Sequence, residues 1–359
     1  MIELTRAPFQ PDCRSTQDAN HLKPLEKTAM KRLALAVSIL VATAGLVACS
    51  SNTASTPTKS GDGLTVLNIG NIKIAAQTDA YAADKLGYFK KHGLKVNTTF
   101  ATSGQDLLTA VESGSLDMGL SIPGVAITAD AKKFDYVGVV QDQIAHEKGP
   151  DSGGLIVAAN SSIKSLKDLE GRSVAVNATG GNQVYVAVVK TLEDAGVDIK
   201  KVSFQEIPFP QMPAVLGQGQ VDAVATVDPF TTQLLAGGKG REIAWFYSDA
   251  LPGMPIGTYF AKGSWVKKNP ETATAFRDAM EETIKFLNAN PDKARDLIAE
   301  FTGLDRGLLN TMPNIQWSTT VSRSTWDNLV KIYVKQGIIK EPIPVDKLLG
   351  PGALTGATN

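Results

Sequence analysis

From residue 64 onward the chain alternates short β-rich apolar runs with amphipathic stretches, the pattern of an α/β architecture. Strands are predicted at residues 64–69, 94–100 and 118–121, helices at 78–91 and 105–113, and Pro123 opens a further helix. Two more strands follow, at 136–141 and 155–159. A second series begins after the turn 165–172, which Gly171 ends before a strand at 173–177. It continues with a helix at 183–195, a strand at 201–207, a short helix at 212–218 and a strand at 222–226. Past the aromatic run 245–247 and a strand at 258–261 the pattern turns mostly helical. Asn269-Pro270-Glu271 combines a cap, a proline at the first helical position and an acid in the first turn. Phe276, Met280, Ile284 and Leu287 then recur at helical spacing, one apolar face destined for a core. Asn290-Pro291 restarts a helix carrying Leu297, Ile298 and Phe301, and Trp326, Leu329, Val330 and Tyr333 mark a last one. Two strand–helix series predict two lobes.

The most apolar run lies outside this pattern. Residues 33–47 are uncharged and follow Met30-Lys31-Arg32, the make-up of a secretory signal too short to span a bilayer comfortably. Leu46-Val47-Ala48-Cys49 resembles a bacterial lipobox. That resemblance implies cleavage before Cys49 and attachment of diacylglycerol and palmitate to it, placing the protein on the outer face of the cytoplasmic membrane or in the periplasm. Residues 1–29 carry Glu3, Asp12, Asp18 and Glu26 and no apolar run, and are expected to be an unused upstream start. Residues 49–63 are small and polar and are expected to form a flexible tether.

Composition narrows the function classes. Without residues 1–48 the formal charge is about −2, so nothing marks a nucleic-acid binder. The cysteines are Cys13 and Cys49 alone, which excludes a disulfide framework, a thiolate nucleophile and a Cys-rich metal site in the folded part. His92 and His146 stand far apart with no zinc spacing. There is no Gly-x-Ser-x-Gly elbow, Walker loop or Rossmann fingerprint. No enzyme, metal or cofactor is therefore expected. Beyond the signal no run of 18 apolar residues occurs, so the chain is not itself a permease.

What the chain does carry is six small polar turns, each following a strand and running into a helix. They hold Asn71, Gln77 and Thr78; Ser103 and Gly104; Ser121 and Gly124; Thr179, Gly181 and Asn182; Gln211; and Asp228. Ligands of open α/β sheets bind beyond the carboxyl ends of strands, where helix N-termini offer free amides. These twelve residues are the candidate ligand contacts. The alternative at each position is an ordinary helix cap. Lys73 is the one cation in the six turns.

Four motifs, in order, carry a family resemblance: Leu86-Gly-Tyr-Phe-Lys-Lys-His-Gly-Leu-Lys-Val96, Val111-Glu-Ser-Gly-Ser-Leu-Asp-Met-Gly119, Ser165-Leu-Lys-Asp-Leu-Glu-Gly-Arg-Ser-Val174 and Gly217-Gln-Gly-Gln-Val-Asp-Ala-Val-Ala-Thr-Val-Asp-Pro-Phe230. The chain resembles, over roughly residues 64–300, the solute-binding proteins of nitrate, sulfonate and taurine ABC importers. The resemblance implies an α/β, two-lobe periplasmic-binding-protein-like (type 2) fold with a central cleft. Lobe 1 would comprise 64–154 and 255–359, and lobe 2 would comprise 155–254. It further implies that Asn182 and Asp228 face the cleft. The expected partners are a small-molecule ligand, an ABC permease with its ATPase, and the membrane through Cys49, with the protein a monomer.

An aliphatic sulfonate or taurine-like ligand is expected. A thiamine-related pyrimidine, another aromatic compound or nitrate is the alternative, with Tyr81, Tyr185 and Phe209 as possible stacking faces. Val227 stands where the family commonly has an aromatic residue before the acid–proline pair, so stacking from that position is lost. Pyrimidine-forming synthases share the fold, but they need a lysine for pyridoxal phosphate and a reactive histidine.

Overall fold

The computed structural model describes residues 57–354 and 357–358. Cys49, the signal and most of the tether lie outside them. Within the tether's last residues, Ser60–Gly63 form a turn, and the Val66 amide donates to the Thr58 carbonyl at 2.8 Å, so this stretch folds back on the first strand.

Along the chain run β1 (Thr65–Ile72), α1 (Asp79–Lys85), β2 (Leu94–Ala101), α2 (Gly104–Ser113), β3 (Met118–Ser121), α3 (Pro123–Asp130) and β4 (Tyr136–Ile144). Then follow β5 (Gly153–Ala158), β6 (Ser173–Val176), α4 (Gln183–Asp194), β7 (Ser203–Glu206), α5 (Met212–Gly217), β8 (Ala223–Val227), α6 (Phe230–Ala236), β9 (Gly240–Ala244) and α7 (Phe246–Ala250). The remainder comprises β10 (Pro255–Lys262), α8 (Pro270–Ala289), α9 (Pro291–Thr302) and α10 (Arg323–Lys335), with shorter helical turns between.

Two five-stranded sheets result, in the orders β2-β1-β3-β10-β4 and β7-β6-β8-β5-β9. In the first, β1 is parallel to β2 and β3, and β10 is antiparallel to β3 and β4. The second repeats this plan, with β6 parallel to β7 and β8, and β5 antiparallel to β8 and β9. The chain passes from sheet 1 to sheet 2 between β4 and β5 and returns between β9 and β10. The first strand after each passage is the antiparallel one in the interior of its sheet. Such a strand is covered on both faces, which explains why β10 is buried from Pro255 to Ala261 rather than alternating.

The stripe on α8 is buried as its spacing requires: Phe276, Met280, Ile284 and Leu287 are all core. Phe276 stacks on Phe89 at 5.5 Å and meets Tyr259 edge-on at 5.2 Å. Each such side chain contributes roughly 1.5–3 kcal/mol by leaving water.

Two local differences from the sequence pattern have clear causes. The helix expected over 78–91 breaks after Lys85, because Gly87 takes a left-handed φ of +81° and ends it, and a new turn Tyr88–Lys91 follows. β9 has no apolar alternation to betray it, since it is an edge strand paired only with β5 and carries Arg241 and Glu242. The aromatic run beside it begins the short helix α7, where the Asp249 carboxylate accepts the Trp245 amide at 2.8 Å.

Contacts other than the two passages also tie the sheets together. Gln183, buried at the start of α4, donates to the Pro255 carbonyl at 2.7 Å and accepts the Gly124 amide at 2.9 Å. From α10, Trp326 donates to Gln141 on β4 at 2.9 Å, while the Tyr333 hydroxyl donates to the Gly181 carbonyl at 3.1 Å.

Candidate functional site

The carboxyl ends of β1, β2 and β3 point their turns at those of β6, β7 and β8, and a cavity of about 270 Å³ lies between the two sets. Gln77, Ser103, Gly104 and Ser121 line it from the first series, and Asn177, Asn182, Phe209, Val227 and Asp228 from the second. The passages between sheets supply His146, Asp151, Ser152 and Tyr247, and residues 312–316 close one side.

Several lining groups are held by local chemistry. Ser103 caps α2, its hydroxyl oxygen accepting the Asp106 amide at 3.2 Å. Asn182 caps α4, accepting the Val184 amide at 3.0 Å. Gly104 is required where it is, because a Cβ there would lie 2.5 Å from the Ser121 hydroxyl. Three polar atoms in the lining are left over: Gln77 Oε1, Ser121 Oγ and Asn177 Oδ1 are buried and meet no hydrogen-bond partner among the described residues. In a dry site such atoms cost free energy until something pairs with them.

The charged groups lie on one side of the cavity. Asp228 Oδ1 accepts both the Thr232 amide at 3.1 Å and its hydroxyl at 2.7 Å, so this oxygen serves α6. Oδ2 takes no part in those bonds. Burial pushes the Asp228 carboxyl up to about 6, the nearby Asp151 adds to the rise, and the Thr232 bonds oppose it. Asp151, 1% exposed, is likewise raised, chiefly by burial, against bonds from the Ser152 and His146 amides. The Asp228 amide donates to the Ser152 carbonyl at 2.8 Å, which fixes the two acidic segments side by side. Among the described residues no lysine or arginine lines the cavity, and Lys73 is exposed outside it.

The remaining sequence candidates sit behind or beside the lining. Asn71 donates to the Gln77 carbonyl at 3.1 Å and Thr78 to the Ala75 carbonyl at 2.9 Å, so both shape the first turn from beneath. Gly124 and Gly181 belong to the contacts with Gln183 and Tyr333. Thr179 bonds the Glu206 carboxylate, and Gln211 is exposed. Of the aromatic candidates only Phe209 lines the cavity; Tyr81 stacks on Phe301 at 5.1 Å and Tyr185 meets Phe204 at 5.0 Å. Sequence reasoning passed over Asp151, His146 and Tyr247, because it searched strand-to-helix turns and not the passages between sheets. The run Gly149-Pro150-Asp151-Ser152-Gly153 was the available signal, a polar interruption between two apolar strands.

A family model described as NMT1/THI5 like matches residues 75–294, more than half of the chain. The chain belongs to the NMT1/THI5-like family. A protein of Escherichia coli (strain K12), provisionally named an aliphatic sulfonates-binding protein, is 28% identical to this member over 276 residues, covering 71% of this chain and 82% of that protein. The crystal structure of the periplasmic aliphatic sulphonate binding protein from Escherichia coli superposes on it with a TM-score of 0.67 at 20% identity, over 79% of this chain and 97% of the other. A desulfurization enzyme does so at 0.60 and 15%, over 81% and 97%. This NMT1/THI5-like protein thus has the two-lobe, type 2 periplasmic-binding fold with a central cleft. The fold by itself does not choose between binding and catalysis.

Proposed function

We infer that this protein is the extracytoplasmic solute-binding component of an ABC importer, taking a small organic solute between its two lobes and delivering it to a permease driven by an ATPase. The observation that carries this reading is the cavity itself, built jointly from both sheets and bearing unpartnered polar atoms. The family and its sulfonate-binding relatives support the same reading. A taurine-like compound or aliphatic sulfonate is the solute class the sequence favours, and its sulfonate would have to be held by amides and hydroxyls. The lobes are taken as 64–154 with 255–359, and 155–254. Cys49 is the proposed lipid attachment, with the protein acting as a monomer on the outer face of the cytoplasmic membrane or in the periplasm.

The test is a thermal-shift screen of the purified protein against sulfonates, taurine, nitrate, amino acids, amines and pyrimidines. A true ligand at 100 times its dissociation constant adds about 2.7 kcal/mol of stability. A panel without a single stabilising compound, or chemical turnover of any member, would overturn the reading.

A further inference from the structure

Two carboxyl groups with no lysine or arginine among the described lining residues, and His146 as the one basic side chain beside them, are an unusual lining for a protein related to binders of anions. Asp151 comes from the passage between β4 and β5, and Asp228 from the end of β8. The backbone bond from the Asp228 amide to the Ser152 carbonyl sets them in adjacent segments at the cavity wall. Across the cavity stand the two orphaned polar atoms of the first lobe, Gln77 Oε1 and Ser121 Oγ, in side chains that are 5% and 2% exposed. Much of the remaining wall is apolar, with Ile74, Val125, Phe209 and Ile256 among it. An anion entering this space would meet two like charges in a region of low dielectric. A cation would meet two opposite ones.

We propose that the solute carries a cationic nitrogen, an ammonium or amidinium group, seated against Asp151 and Asp228, with an apolar body and a polar far end that pairs with Gln77 and Ser121. The inference rests on the solute-binding reading and narrows it: a taurine-like molecule qualifies through its amine, whereas a plain alkanesulfonate or nitrate does not. Charge-assisted hydrogen bonds are the strong ones, and burial strengthens them further. The orphaned oxygen of Gln77 pairs with a donor where the far end offers one, while the Ser121 hydroxyl serves either role and can donate to an acceptor-only end such as a sulfonate.

The groups facing the two carboxyls set the pH dependence. His146 donates its backbone amide to Asp151, and its ring nitrogen meets the Asn314 carbonyl at 2.8 Å. Tyr247 is held neutral by burial, and Thr232 bonds Asp228. In the empty protein both carboxyls are pushed toward the protonated form, Asp228 up to about 6. A cation favours the ionised form, so its binding expels protons and tightens as pH rises from 5 toward 7.5. An anionic ligand would show the opposite slope.

The experiment is calorimetry on the purified full chain with matched probes: taurine against ethanesulfonate, and 4-aminobutanoate against butanoate. For any pair that binds, the amine-bearing member should be tighter by about 10- to 150-fold at pH 7.5, the range of a hydrogen bond to a charged group. Its affinity should rise with pH between 5 and 7.5, and titrations near pH 6 in two buffers of different ionisation heat should show proton release. Asp228→Asn keeps the cap on α6, since asparagine caps about as well, and should lose this preference; Asp151→Asn should do the same. Equal or tighter binding of the amine-free member, or proton uptake on binding, overturns the cationic ligand and leaves solute capture standing. A wider screen in which nothing binds overturns capture itself. Should a variant fail to fold, the pH slope and proton count of the parent protein decide the matter.

Discussion

Asp142 on β4 and Asp79 at the start of α1 form a buried carboxyl pair in the core of the first lobe. Among the described residues neither oxygen of Asp142, nor Asp79 Oδ2, has a well-formed hydrogen bond, and a proton held between the two groups satisfies both. Burial raises both, Asp79 to about 7, and the charge of Asp79 raises Asp142 further, while the hydrogen bond from Asp142 opposes the rise at Asp79. The folded chain therefore binds more protons here than the unfolded one. Stability from this pair is fully present below the ordinary carboxyl range and is lost as pH climbs through about 7. Melting temperature should accordingly fall between pH 5 and 8 by an amount reflecting a few kcal/mol, and Asp142→Asn should flatten much of that slope. A parent protein whose melting point is level or rising over this range would refute the shared proton. Nothing in the sequence foretold the pair. Its members lie 63 positions apart, and only the fold brings them together.

At the scale of elements, the turn and helix starts carry more of the design than the helices themselves. Gln183 opens α4 and bonds both Gly124, at the start of α3, and Pro255, at the start of β10. Truncating it to alanine leaves a buried amide and a buried carbonyl unpaired, at about 1–3 kcal/mol each. Gln183→Ala should therefore shift the denaturant midpoint by an amount worth about 2–5 kcal/mol with an unchanged slope; a loss under about 0.5 kcal/mol would mean the bridge is idle. Most strands and the long helices were legible because burial on one or two faces writes a period into the chain. The cleft turns were legible as a set, through the repeated step from strand to small polar residues to helix. Which of their residues reach the cavity was not, since Ser103 and Thr179 read alike in sequence while one lines the cavity and the other bonds Glu206.

For the molecule as a whole, the alternation of strands and helices announced two α/β lobes, and the contribution of residues 312–316 to the cavity and of α10 to both sheets did not announce itself. Long-range packing of that kind leaves no local period. The strand order has a consequence for the time course of folding. Sheet 2 is drawn from one unbroken stretch, residues 153–244, and can complete itself from its own sequence. Sheet 1 cannot: β4 pairs with no strand but β10, which is made only after all of sheet 2. Closing so distant a pairing is slow, because the loop entropy must be overcome before the contacts form. During refolding the amides of β5, β6 and β8 should gain protection from hydrogen exchange ahead of those of β4 and β10, and simultaneous protection would rule the order out. A chain made from its N-terminus would then hold β4 unpaired for as long as the second lobe takes to be made, with an exposed apolar edge as its point of greatest vulnerability to aggregation.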